Sequence, residues 1–126
     1  MKVETRLDPA RNVRVHTATG KANGSDIINA LREIYTSNYY TQRMNVLWDA
    51  RKLDLEGIEP GGLQAVFDYT KVRWGTVKGT KMAFVVNGTK EHRVVADMFA
   101  YMAKRRMLSS TKVFTNIDDA RAWLDE

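Results

Sequence analysis

Asp49 is the residue best placed to do chemistry. It closes the apolar run Val46-Leu47-Trp48, and a charged stretch leads from it to Pro60-Gly61-Gly62. A buried strand feeding a loop and then a helix is half of a βαβ unit, and in open α/β sheets sites collect at the carboxyl ends of the strands. Asp49 is there either as a site carboxylate or as an acceptor for the backbone of a neighbouring loop. Gly61 and Gly62, beside Glu59, would let a ligand or partner approach the amides of a helix start closely. Asp49, Glu59, Pro60, Gly61 and Gly62 are therefore the candidate partner-binding residues. Nothing matches the Walker or Rossmann glycine patterns. His16 and His92 lie far apart on different elements. No histidine and carboxylate share metal-ligand spacing, and no serine stands in a nucleophile-elbow setting. No catalytic residue, metal or cofactor is assigned, and an enzyme is not expected.

The elements that must position these residues follow from periodicity. Val3, Thr5 and Leu7, then Val13, Val15 and Thr17, alternate with polar neighbours around Pro9-Ala10-Arg11-Asn12. This predicts an N-terminal hairpin of half-buried strands, with His16 on its polar face. Ile27, Ile28, Leu31, Ile34 and Tyr35 predict a helix from Ser25, as N-cap, to about Ser37. Met44 to Ala50 is the third strand, and Arg51, Lys52, Asp54, Glu56 and Glu59 make a wet, charged loop after it. Pro60 suits a first helical position. Leu63, Val66, Phe67, Thr70 and Trp74 form one stripe up to a stop at Gly75. Met82 to Val86 is a fourth strand. Val94, Val95, Met98, Phe99, Met102 and Ala103 give the stripe of a helix from Lys90 to about Met107. Lys112 to Phe114 is a short fifth strand. Asn116 then caps a last helix, with Asp119 placed as in a capping box and Ile117, Ala120, Trp123 and Leu124 facing inward. The order is ββαβαβαβα, an α/β domain with a mixed five-stranded sheet.

Composition narrows the class. The chain has 126 residues, 44% hydrophobic and 28% charged, as expected of one globular domain over 1–126 that can bury a core. It has no cysteine, hence no disulfide framework. The first residues, MKVETRLDPARN, hold no apolar segment of a secretory signal. No run is long enough to span a membrane. A cytoplasmic location is the expectation. Charge is uneven: Gln64 to Lys112 carries ten basic residues against three acids, so it is +7 within a net +5. That imbalance suits either a solvated surface or an acidic partner.

Three stretches carry a resemblance. Asn45-Val46-Leu47-Trp48-Asp49-Ala50, Lys81-Met82-Ala83-Phe84-Val85-Val86 and Phe114-Thr115-Asn116-Ile117-Asp118-Asp119-Ala120-Arg121-Ala122-Trp123-Leu124 resemble STAS-like proteins of the sporulation anti-sigma-antagonist (SpoIIAA-like) fold. The resemblance spans the domain in element order. It implies βα units wound in one sense, with helices mainly on one face of the sheet. Anti-sigma antagonists carry an Ile-Asp-Ser-Ser-Gly-Leu motif before the second helix, and its serine is phosphorylated to switch partner binding. Here the matching stretch is Ile58-Glu59-Pro60-Gly61-Gly62-Leu63, in which proline and glycine replace the serines.

Two functions follow as expectations. The first is a non-enzymatic regulatory or protein-interaction module working through Asp54 to Gly62. The second is a carrier of a small apolar or lipid-like ligand, as in lipid-exchange domains of related βα architecture, with Tyr39, Tyr40, Met98, Phe99 and Met102 lining a cavity. Nucleic-acid binding ranks below both. Its one aromatic–basic juxtaposition is Trp74 near Lys71, Arg73 and Lys78. Monomer and homodimer both remain open.

Overall fold

The structure, a computed structural model, describes residues 1–37, 43–73, 79–106 and 110–126. Its order is β1 (Lys2–Asp8), β2 (Val13–Lys21), α1 (Gly24–Tyr35), β3 (Asn45–Asp54), α2 (Pro60–Arg73), β4 (Lys81–Val85), α3 (Lys90–Arg106), β5 (Ser110–Phe114) and α4 (Ile117–Leu124). The strands lie in the sheet in chain order, β1-β2-β3-β4-β5. β1 is antiparallel to β2, and every later pair is parallel. This is the ββαβαβαβα mixed sheet that the periodicity predicts.

The strand order explains where the helices go. A parallel crossover is right-handed, so crossovers that step in one direction put their helices on one face. α1, α2 and α3 are such crossovers. They cover Val46, Met82 and the half-buried Trp48 and Phe84, with Leu31, Leu63, Val66 and Phe67 packed down from the helices. α4 has no strand after it and is free of that constraint. It closes the opposite face, where Ala120 and Leu124 pack on Val13, Val15, Leu47, Ala83 and Val85. Lys81 Nζ donates to the carbonyls of Trp123 and Glu126, fastening the C-terminal end of α4.

Several expectations are corrected. α1 is capped by Asn23, not Ser25. The Asn23 side chain accepts from the Asp26 amide at 2.9 Å and Asp26 accepts from the Asn23 amide at 3.2 Å, a reciprocal capping box. β3 does not end at Ala50. It stays paired with β2 through Lys21↔Asp54, so Arg51, Lys52 and Asp54 belong to a strand and not to a loop. Thr17 and Thr19 face Asp49 and Lys52, which leaves one extra residue in β3. Such a bulge reverses side-chain parity. Trp48, Ala50 and Leu53 therefore all face the α1–α3 layer. In α3 the inward residues include His92 and Ala96, while Val94 and Met98 are exposed. The expected stop at Gly75 falls outside the described residues. At α4, Asn116 is the cap, accepting from the amides of Asp118 and Asp119.

Candidate functional site

The stretch that the sequence singles out lies at the carboxyl ends of the parallel strands, and its apolar residues, not its charged ones, line a cavity there. Asp54 Oδ1 accepts from the Glu56 amide at 3.0 Å, and the Ile58 amide donates to the Leu55 carbonyl at 3.1 Å. These two bonds fold residues 54–58 into a turn that drives Leu53 and Leu55 inward. The Leu63 amide then donates to the Glu59 carbonyl, so α2 starts with Glu59 as its cap residue and Pro60 at its first position.

Behind that turn is a cavity of about 110 Å³. Its floor is Trp48, Ala50, Met82 and Phe84 on β3 and β4. Its roof comes from Ile27 and Leu31 of α1, Leu63 and Val66 of α2, and Val95 and Ala96 of α3, with Leu53, Leu55 and Ile58 at the turn. Thr70 is polar, but its hydroxyl is already donated to the Val66 carbonyl. The rest of the lining is hydrocarbon and aromatic rings, with Tyr35, Trp48 and Met1 the other residues that carry a polar atom. Such a cavity favours an apolar occupant over water, because water needs two to four polar partners.

The candidate residues divide on inspection. Asp49 points to the α4 face. Arg51 Nε and Nη2 donate to its two oxygens at 2.9 and 2.8 Å, and the Arg51 amide donates to Oδ1 at 3.3 Å. These bonds, partly opposed by burial, hold the Asp49 carboxyl below its ordinary range and raise the guanidinium pKa of Arg51. Its partner is thus in its own strand, two residues on. Gly62 meets α1: a Cβ built on Gly24 would lie 2.8 Å from Gly62 Cα, so the two glycines let the starts of α1 and α2 touch. At Gly61 nothing lies within 4 Å of where a Cβ would be, and Glu59 and Pro60 are exposed beside it. The loop surface is open, whereas Gly62 serves helix packing.

Both histidines are buried, which corrects the exposed position expected of His16. β2 lies between β1 and β3 with both of its faces covered, so alternation no longer separates core from solvent. Arg14 Nε donates to His16 Nε2 at 3.0 Å, and His16 Nδ1 lies 2.8 Å from Thr5 Oγ1. Burial, reinforced by the charge of Arg14, lowers the pKa of His16 from 6.5 to about 3. Its ring leans on Trp48, 4.5 Å between centroids. His92 ties α3 to the carboxyl ends of β3 and β4 through the Leu53 carbonyl and the Asn87 amide. Among the described residues, no group of three or more His, Asp and Glu side chains could hold a metal ion. No described helix is long and apolar enough to cross a membrane.

Of the residues first expected to line a cavity, Met98 is exposed; Tyr39 and Tyr40 lie outside the described residues, as do the side chains of Phe99 and Met102. Trp74 and Lys78, and the side chains of Lys71 and Arg73, also lie outside them. The actual lining was signalled by Leu53 and Leu55 alternating with Lys52, Asp54 and Glu56. That is a period-two pattern of a strand running on past Ala50.

No family model matches this chain, and neither does any curated protein. Among solved structures it is similar to an uncharacterized protein of the DUF3478 family with a SpoIIAA-like fold from Shewanella loihica PV-4. The likeness covers 98% of this chain and 92% of that one, at 16% identity and a TM-score of 0.60. It establishes that this chain has a SpoIIAA-like fold. At that identity the likeness carries the fold alone.

Proposed function

We propose that this protein is a non-enzymatic binding module of the STAS-like type and that it carries a small apolar or amphipathic ligand. The observation that supports this reading is the cavity of about 110 Å³ between the sheet and α1–α3, walled almost wholly by apolar side chains. Its size is of the order of a cavity of about 150 Å³ that holds benzene, and below the range of drug-sized pockets. The ligand, or the part of it that enters, is correspondingly small. The histidines support a binding role over catalysis, since each has both ring nitrogens committed to structural hydrogen bonds. A native mass spectrum of gently purified protein tests the proposal. Extra mass that is lost on denaturation is the expected result. An apo mass that no small apolar compound increases would count against the reading.

A second reading is a regulatory or protein-interaction module whose contact surface is Asp54 to Gly62 and the start of α2. The open space around Gly61 favours it, because a partner can reach the backbone there. With Pro60 and Gly61 where anti-sigma antagonists carry serine, such a module would not be switched by phosphorylation at this position. Gly61→Trp should keep the fold and weaken capture of the partner. If capture were unchanged, the contact surface would lie elsewhere.

A further inference from the structure

β1 is an edge of the sheet. β2 pairs with one side of it, from Lys2↔Thr19 to Asp8↔Val13, and among the described residues no strand pairs with the other side. A strand left in this way offers a row of backbone donors and acceptors to another chain, unless it is very short, bulged or guarded by charge. β1 is seven residues long and pairs with β2 without a register shift. Its charges alternate in sign: Lys2, Glu4, Arg6 and Asp8 lie on one face, and Val3, Thr5 and Leu7 on the other. Val3 and Thr5 border a groove beside α1, and Leu7 continues that row 40% exposed. β5, the other edge, has five residues and one charge, Lys112.

This alternation is self-complementary. When β1 lies antiparallel to β1 of a second copy with a twofold axis at Thr5, Lys2 faces Asp8, Val3 faces Leu7, Glu4 faces Arg6 and Thr5 faces itself. Every charge meets its opposite and every apolar side chain an apolar one. Residues directly opposite in an antiparallel pair share a face and touch, so these matches are favourable. Moving the axis to Glu4 sets Glu4 against itself and Lys2 against Arg6; moving it to Arg6 sets Arg6 against itself and Glu4 against Asp8. Like charges oppose each other in both, so the charges specify one register. Beyond Asp8, Pro9 has no N–H with which to extend the ladder. The charges are free to exchange partners. Lys2 and Glu4 pair with each other at 3.1 Å, but both are exposed, and such a pair is weak. Asp8 lies 3.8 Å from Arg11, and Arg6 has no ion pair among the described residues.

We propose that a second copy of this chain covers the edge: two β1 strands pair about Thr5 and join two five-stranded sheets into one. The pairing does not depend on what the cavity holds. Two seven-residue strands make a small interface, so the dimer belongs to the weak class, with a Kd of about 10 μM.

The test is sedimentation velocity of the whole protein from about 1 to 500 μM, a range that brackets that Kd. The wild-type protein should pass from monomer to dimer. Glu4→Arg and Arg6→Glu each change an exposed residue and turn two attractive pairs into repulsive ones. Each should keep its circular dichroism and weaken the dimer about tenfold or more. An equal mixture of the two variants sets opposite charges against each other again and should dimerise like the wild type. A wild-type protein that stays monomeric throughout would overturn the proposal. Single variants that dimerise as well as the wild type would place the interface elsewhere, and a mixture no more associated than its components would reject the register. Hydrogen exchange of the wild-type protein gives a reading that needs no variant: amides of β1 should exchange more slowly at the high concentration, with those of β5 unchanged. Equal exchange of β1 at both concentrations would also overturn the proposal.

Discussion

The two faces of the sheet are built from the same strands and are packed differently. On the α4 face, Leu47, Ala83, Val85 and Ala120 are all 0% exposed, so solvent does not reach them. On the α1–α3 face, their strand neighbours Trp48 and Phe84 sit in the middle of the sheet beneath three helices and are still only half-buried. The space that reaches them is the cavity. A terminal helix is free to settle onto its face until it is filled. Crossover helices are held at both ends by strands, and the Gly24–Gly62 contact fixes how closely α1 and α2 approach each other. The face whose helices are constrained keeps an apolar void; the unconstrained face is filled.

Substitutions of the same kind on the two faces should therefore differ. The largest gap is expected for truncation. Leu47→Ala removes a side chain packed on all sides and should cost about 4 kcal/mol in urea unfolding, within the usual span for buried leucine. Leu53→Ala, beside existing empty space, forfeits fewer contacts and should cost about 2 kcal/mol. Equal costs would break the comparison. Enlargement should reverse the tolerance. Ala83→Leu forces a side chain into the filled face and should destabilise by about 1–3 kcal/mol. Ala96→Leu, on the wall of the cavity, should be close to neutral while it blocks ligand uptake.

A pH scan separates the faces by charge. The fold holds His16 neutral where the unfolded chain binds a proton. Its contribution to stability is therefore complete above about pH 6.5 and is lost as pH falls toward about 3. Between pH 6.5 and 5 this amounts to about 2 kcal/mol at 1.4 kcal/mol per unit. His16→Gln should flatten that slope, and a slope unchanged in the variant would contradict the buried position of the ring. The smallest effect belongs to Asp49→Asn on the α4 face. Its arginine is 44% exposed, so the loss should be about 0.5 kcal/mol, with ligand uptake unaffected.

The fold was legible in the sequence because its punctuation is local. Pro60 opens α2, Asn116 caps α4, and Pro9 to Asn12 turn the hairpin, each through its own backbone chemistry. The cavity was half legible. The rule that sites gather at strand carboxyl ends led to Met44 to Leu63, the stretch that holds the cavity residues Leu53, Leu55 and Ile58, but it drew attention to Asp49 and the glycines instead. Three misses share a cause: a residue's face was inferred from its neighbours' polarity. His16 sits on a strand covered on both sides. The bulge after Asp49 switches which residues of β3 point inward. In α3, Val94 extends an apolar stripe but lies on the outer face, 49% exposed, because His92 and Ala96 take the inner one. Arg14 left no signal at all, since a buried arginine reads as a surface residue until its partners are placed.

The most direct test of the account is a methyl NMR spectrum of the protein in xenon-saturated buffer. Xenon enters dry apolar cavities without needing a polar partner. Among leucine and valine methyls the account predicts shifts confined to Leu31, Leu53, Leu55, Leu63, Val66, Val86 and Val95, which line the cavity, with Val13, Val15, Leu47, Val85 and Leu124 on the α4 face unmoved. Shifts spread evenly over both faces, or none at any pressure, would contradict the claim that one face of the sheet holds a ligand-sized apolar space and the other does not.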